Sequence, residues 1–244
     1  SGTVAMTNGS IENNKSSLNG GGVAIGGSGI FTMSGGEIKQ NVTLTGNGGG
    51  IYIANGNIQI NDGIIKENKS VNSTGGLGGG ICVSSGSILM NDGTIENNEA
   101  KNGGGFYLTQ GTFEIKNGSL ISKNKAENGA GGYVVSGEFN LTGGTTSNNI
   151  ATSNGGGYYI VDTETVDLSN GIISNNEAKN GGGFYQTQTS EHITSTTLSG
   201  TCYVNNNVAR DGNGGGIYVD GGSVFRIVNG KVVSLNHILK TKDI

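Results

Sequence analysis

The sequence predicts an all-β fold: a right-handed parallel β-helix, a solenoid of about nine coils with three short strands each. Three observations carry this. Gly-Gly-Gly, or a close variant, ends at Gly22, Gly50, Gly80, Gly105, Gly132, Gly157, Gly183 and Gly216, in steps of 28, 30, 25, 27, 25, 26 and 33 residues. An apolar strand follows each cluster. An apolar-x-x-Asn tetrapeptide, with its Asn always three residues after the apolar one, recurs once in each unit. A unit this small cannot bury its own apolar face, so self-similarity at this period means stacked units around a shared core.

The stretch from Gly48 to Asn68 shows the elements in order. Ile51-Tyr52-Ile53 follows the glycines, Ile58-Gln59-Ile60 follows Asn55-Gly56, and Ile64-Ile65 follows Asp62-Gly63. Each run alternates apolar and polar residues and is bounded by turn chemistry, as a half-buried strand should be. Glycine and asparagine tolerate the positive φ of sharp corners. The first strand recurs as Val23-Ala24-Ile25, Ile81-Cys82-Val83, Phe106-Tyr107-Leu108, Tyr133-Val134-Val135, Tyr158-Tyr159-Ile160, Phe184-Tyr185-Gln186 and Ile217-Tyr218-Val219. The second recurs at Ile88, Phe113, Phe139 and Val166, and the third at every apolar-x-x-Asn. Strands this short with tight corners repeat in register as coils that pair with the coils above and below. No stretch carries a helical period, and 49 glycines weigh against one. Without proline or a strict triplet the glycine is not collagenous. Right-handedness follows from the strong bias of parallel crossover connections. Nine coils at the strand spacing make a rod roughly 40 Å long, read as a single domain spanning residues 1–244.

Stacking makes columns. Ile51, Ile53, Ile81, Val83, Phe106, Leu108, Tyr158, Ile160, Ile217 and Val219 are expected inside, each aliphatic worth about 1.5–3 kcal/mol when buried. Asn14, Asn41, Asn68, Asn98, Asn124, Asn149, Asn176, Asn207 and Asn236 form a second column, expected to be a buried structural ladder of hydrogen-bonded amides. Sequons at Asn41 and Asn68 are discounted as glycan sites for that reason. The middle residue of the first strand, at Ala24, Tyr52, Cys82, Tyr107, Val134, Tyr159, Tyr185 and Tyr218, is expected to face out. Its tyrosines 52, 107, 159, 185 and 218 are the candidate binding residues, an aromatic stripe that could meet a sugar or a protein surface. They could equally serve only to stack on one another and favour the strand.

The net charge of -4, with 13% charged residues, argues against nucleic acid or an acidic membrane surface as partner. No run of about 18 apolar residues could cross a bilayer as a helix. Cys82 and Cys202, five repeats apart, would lie roughly 24 Å from each other at the strand spacing and cannot pair, so both read as small apolar fillers. The chemistry of β-helical polysaccharide lyases and hydrolases needs clustered acids with a cation or base. Here Asp62 and Asp92 fall in Asn-Asp-Gly turns, Asp162, Glu164 and Asp167 share one coil without a nearby cation, and Asp211-Gly212-Asn213 reads as a plain loop. His192 and His237 are too far apart in coils for a shared metal. No catalytic residue, metal or cofactor is expected.

The pairing of GGVAI, GGIYI, GGICV, GGFYL, GGYVV, GGYYI and GGIYV with IENN, IKQN, IKEN, ISKN, TSNN and ISNN resembles the passenger repeats of chlamydial polymorphic outer-membrane proteins and related β-helical surface proteins of bacteria and protists. The resemblance covers nearly the whole chain. It implies an extracellular, cell-surface segment of a larger protein with a non-enzymatic structural or adhesive role, a stalk or adhesin passenger. Its partner would be a host surface protein, a glycan, or neighbouring copies of itself end to end. The rivals are a polysaccharide-active lyase or hydrolase and a self-assembling filament or surface-layer subunit. Because the chain starts and stops within the repeat, its N-terminal coil is expected to be covered by more coils, another domain or a second copy stacked end to end.

Overall fold

The computed structural model describes residues 2–72, 75–116, 118–189 and 193–232, with the backbone of 237–239. It is an all-β parallel solenoid of about eight turns, close to the nine expected. All strands of the ladders run parallel, and the columns hold across register shifts such as those between Ile25 and Ser28 and between Leu168 and Asn170. In the first ladder Ile25, Ile53, Val83, Leu108, Val134, Ile160, Gln186 and Val219 lie one above another. In the second, Val4 begins a column continued by Phe31, Ile58, Ile88, Phe113, Phe139, Val166, Thr196 and Phe225. In the third, Ile11, Ile38, Ile65, Ile95, Ile121, Thr146, Ile173 and Val204 are stacked. The last coil is offset by one from expectation. Val232, not Val233, lies opposite Val204, and Val233 and Asn236 fall outside the described residues.

One coil departs from the predicted register. Tyr107 pairs with Tyr133, and Phe106 pairs with Gly132. Tyr133 therefore takes the outward place assigned to Val134, and Val134 is fully buried. The cause is the Phe106 ring: a Cβ on Gly132 would lie 2.1 Å from it. The coil omits an inward side chain where its neighbour's aromatic already fills the space. The cluster of this coil is thus Gly129-Ala130-Gly131, and counted at Gly131 the steps on either side become 26 and 26 residues (105 to 131, 131 to 157).

Most coils also have a short fourth strand that the three-strand reading missed, and at Glu99 isolated bridges take its place. It begins directly after the ladder asparagine, as Lys15–Ser16, Val42–Thr43, Lys69–Ser70, Lys125–Asn128, Ile150–Asn154, Glu177–Ala178 and Val208–Arg210. Its inward residue is always small: Thr43, Ser70, Ala126, Ala151, Ala178 and Ala209 are all buried. The glycine clusters explain why. The first glycine is left-handed, with φ of 70° at Gly48 and 67° at Gly155. The middle one touches the backbone of the fourth strand, so that a Cβ on Gly104 would sit 2.5 Å from the Lys125 carbonyl oxygen. The third abuts the ladder, with a Cβ on Gly80 placed 3.1 Å from the Asn98 amide nitrogen. Each of the three therefore has its own reason to lack a side chain.

One continuous apolar core runs from Met6 to Val204. Its centre is aromatic: Phe106 meets Phe113 edge-on at 4.2 Å between centroids, and Phe139 meets Tyr158 at 4.8 Å. In the last coils the core turns polar. Gln186, Thr194 and Thr196 are fully buried. The Gln186 amide donates to the Thr194 and Val224 carbonyls at 2.9 and 3.1 Å and accepts from the Thr196 hydroxyl at 2.6 Å. Val219, expected inside, is 36% exposed there, because it belongs to the last turn of the first ladder.

Candidate functional site

Two kinds of column run along the rod, one of amides and one of tyrosines. In the first, each asparagine donates both its backbone N–H and its side-chain amide to the side-chain oxygen of the next. Asn68 N and Nδ2 lie 2.9 and 3.0 Å from Asn98 Oδ1, and Nδ2 also donates to the Ile38 carbonyl at 2.9 Å. The same contacts link Asn14 to Asn41, Asn41 to Asn68, Asn98 to Asn124, Asn124 to Asn149, Asn149 to Asn176 and Asn176 to Asn207. Asn41 through Asn207 in this series are fully buried; Asn14, on the first coil, is exposed. The left-handed corner residue is the one before each of them. Asn13, Gln40, Glu67, Asn97, Lys123, Asn148, Asn175 and Asn206 have φ between 53° and 57°. The corner residue varies, while the amide beside it is asparagine every time. With their amides committed inward, Asn41 and Asn68 offer nothing to a glycan.

A second amide column was not anticipated. Asn102, Asn128, Asn154 and Asn180 precede the glycine clusters, and each amide donates to the one before it at 3.0 to 3.2 Å. Asn19 and Asn47 occupy the same place, each accepting a backbone N–H from the next coil. The signal was present as Asn-Gly ahead of each cluster, where it also spells ordinary turn chemistry.

The tyrosine column is more continuous than the sequence suggested. Tyr107, Tyr133, Tyr159, Tyr185 and Tyr218 form one stack, with successive centroids 5.0, 4.4, 4.9 and 5.2 Å apart. Adjacent ring planes are inclined by 12° to 35°. Tyr185 is 8% exposed and the other four are half-buried. Each ring covers the face of the next, so the stripe presents ring edges and hydroxyls rather than open faces. Tyr52 stands apart, separated by Cys82, with its hydroxyl 3.0 Å from Ser84 Oγ. Cys82, placed outward by register, is nevertheless buried, and Cys202 is buried too; both are free thiols. The Tyr185 hydroxyl donates to Asp220 at 3.4 Å, and Asp162 accepts from the Thr189 backbone N–H and hydroxyl at 2.8 and 2.5 Å.

The remaining acids stay dispersed. Asp62 and Asp92 each cap the following glycine N–H at 2.6 Å, which is turn chemistry. Among the described residues no three of His, Cys, Asp and Glu gather to hold a metal ion. His192 lies outside those residues.

Both recurring motifs meet in the coil that spans residues 201–220: Val204 to Asn207 sit on the third strand and the amide ladder, and Gly214-Gly215-Gly216-Ile217-Tyr218-Val219 on the glycine cluster and the tyrosine column. Residues 201–220 match the family model of the Chlamydia polymorphic membrane protein (Chlamydia_PMP) repeat. The resemblance drawn from the motifs is thus met by a match to that repeat and by a parallel solenoid. Proteins built on the Chlamydia_PMP repeat are associated with the outer membrane and cell surface, and theirs is not a known enzyme family. No curated protein and no solved structure matches the chain. The coils that precede the matched Chlamydia_PMP repeat place the same two motifs in the same structural positions.

The tyrosine column gives this repeat array a pH response. Burial, then the Cys82 thiol, pushes the Tyr107 phenol from its usual 10 up to about 12. Burial and the neighbouring Tyr159 bring Tyr185 to about 12 as well. Burial also pushes Tyr133 and Tyr159 up, and the Cys82 and Cys202 thiols from 9 to about 12. These groups are held neutral by the fold, so their pKa values are higher folded than unfolded. Their contribution to stability is complete below the unfolded values and is lost as pH rises through the folded ones. Stability in denaturant should therefore fall steeply between about pH 9 and 12. The check is a urea midpoint series against pH, with tyrosinate absorbance followed in parallel. Phenols titrating at the same pH in native and unfolded chain would contradict the assignment.

Proposed function

We propose that this chain is a non-enzymatic, rigid segment of a cell-surface protein, a stalk or adhesin passenger whose tyrosine edge meets a host surface. The observation that carries the proposal is the five-membered tyrosine stack held in one line by an unbroken coil register. The surface association of proteins with the matched repeat supports it, as does the buried amide ladder, which gives the rod its stiffness.

The stack also favours one partner over another. A sugar ring binds an aromatic through its open face, and here the faces are turned to each other. Ring edges and phenolic hydroxyls suit a protein surface, where tyrosine supplies area and a hydrogen bond at small entropic cost. A host surface protein is therefore preferred to a glycan.

Replacing Tyr107, Tyr159 and Tyr185 together by Ser should leave the β signature in circular dichroism intact while attachment of the labelled chain to host cells drops about tenfold or more, as loss of hot-spot tyrosines does. Protease treatment of the cells should abolish wild-type attachment. Loss on glycosidase treatment instead would move the partner to a glycan. Unaltered attachment by the triple variant would remove the tyrosine edge from the function. Release of reducing ends from an acidic polysaccharide would put an enzyme in place of the stalk.

A further inference from the structure

The geometry points to a modification site within the tyrosine column: a peroxide-driven one-electron oxidant couples Tyr133 to Tyr159 as a 3,3′-dityrosine, joining adjacent coils covalently. These two rings are the closest pair of the stack, 4.4 Å between centroids and 20° between planes. They occupy paired outward positions on adjacent strands. The rings therefore point the same way, and the carbons ortho to one oxygen lie over those ortho to the other.

The chemistry balances with peroxide as the sole oxidant. Each phenol gives up one electron and its hydroxyl proton, leaving a phenoxyl radical with spin on the ortho carbons. The two radicals join through those carbons. Each ring then moves its ortho hydrogen to oxygen and regains aromaticity, so two phenols and one hydrogen peroxide become one biphenol and two waters. Tyr185, hydrogen-bonded to Asp220 at 3.4 Å, has a carboxylate at hand to take its proton. A radical formed on any member of the stack can pass along it to the closest pair. The ring faces are already covered by neighbours of the same chain, so a tyrosine from another molecule cannot take the stacked position.

The other described tyrosines lack this arrangement. Tyr52 is separated from the stack by Cys82. Tyr158 is fully buried and hydrogen-bonded to Thr146. Tyr203 carries Lys231 over its ring at 6.0 Å.

The test is to treat the folded chain with a peroxidase and hydrogen peroxide at low protein concentration and to read dityrosine fluorescence. Cleavage after glutamate places Tyr133 in 128–138 and Tyr159 in 139–164, so the cross-link appears as those two peptides joined with the loss of two hydrogens. Holding the reacting rings together should give the folded chain about tenfold more dityrosine than the urea-unfolded chain at equal concentration, with the product monomeric on a denaturing gel. Tyr133→Phe and Tyr159→Phe keep the stacked ring and should each remove the joined peptide, whereas Tyr52→Phe should leave it unchanged. Cross-links found only between chains, an equal yield from the unfolded chain, or a joined peptide that survives both Phe variants would overturn the proposal.

Discussion

Replacing Asn98 by Leu should destabilise the chain by about 3 kcal/mol or more. Leucine removes the acceptor used by both Asn68 N and Asn68 Nδ2, and it removes the donor to the Ile65 carbonyl. All of these groups lie in a fully buried column. Each polar group left without a partner in such a place costs about 1–3 kcal/mol, because the water it gave up on folding is not replaced. Leucine cannot recover this by packing, since the Asn98 amide already abuts the space next to Gly80. The exposed Lys101→Ala is the reference and should change stability by no more than about 0.5 kcal/mol. Urea unfolding of the two variants side by side decides it. Equal midpoints would mean that the amide relay is decoration on a fold held by its apolar core alone.

The second expected effect is larger still. Gly155→Val should abolish the folded state at ambient temperature. Position 155 has φ of 67°, and a Cβ there would lie 2.4 Å from the Tyr158 carbonyl oxygen. A β-branched residue in the left-handed region is strained by about 1–2 kcal/mol before any contact is counted. The contact itself is with backbone of the neighbouring strand, which cannot turn aside as a side chain could. Displacing it would break the pairing of Tyr158 with Gly132 and Phe184 above and below. Ser199→Val, on an outward strand position, is the control. Circular dichroism and thermal melts compare them. A Gly155→Val chain that melts within a few degrees of wild type would show that the first glycine of the cluster is not a backbone requirement.

Period, parallel stacking, inward positions and the apolar-x-x-Asn offset were legible in the sequence because each repeats many times with the same side-chain chemistry. What escaped notice was encoded once or ambiguously. The register of the Tyr133 coil turns on Gly132, which looks like the last member of a glycine cluster and is in fact the vacated seat beneath the Phe106 ring. Only the neighbouring coil reveals this, so no local pattern could. The fourth strand is commonly two residues long and buries serine, threonine or alanine, which leaves no apolar alternation to detect. Its existence is written instead in the middle glycine, a residue that sequence reading credits to turns. The tyrosine column was found from Tyr52, Tyr107, Tyr159, Tyr185 and Tyr218 but not its full continuity. A single coil read one residue out of step hid the ring that joins Tyr107 to Tyr159. The polar interior around Gln186 was missed for a different reason. Threonines 194 and 196 look like surface strand residues until Gln186 is seen to reach across and satisfy them.

The amide relay has a direction. In the buried column every amide from Asn14 to Asn176 gives its hydrogen to the oxygen of the coil that follows, while the second column, from Asn102 to Asn180, runs the other way. The rod is therefore polar in the sense that a cytoskeletal filament is polar. At Asn14 it shows an oxygen that only a donor can approach. Whatever coil is laid against that face, from this chain or from another, must arrive with its own amide nitrogen leading. Coils laid head to tail carry the relay on, whereas two such faces set head to head would bring oxygen against oxygen, so an array that continues the relay inherits a single vector along its length.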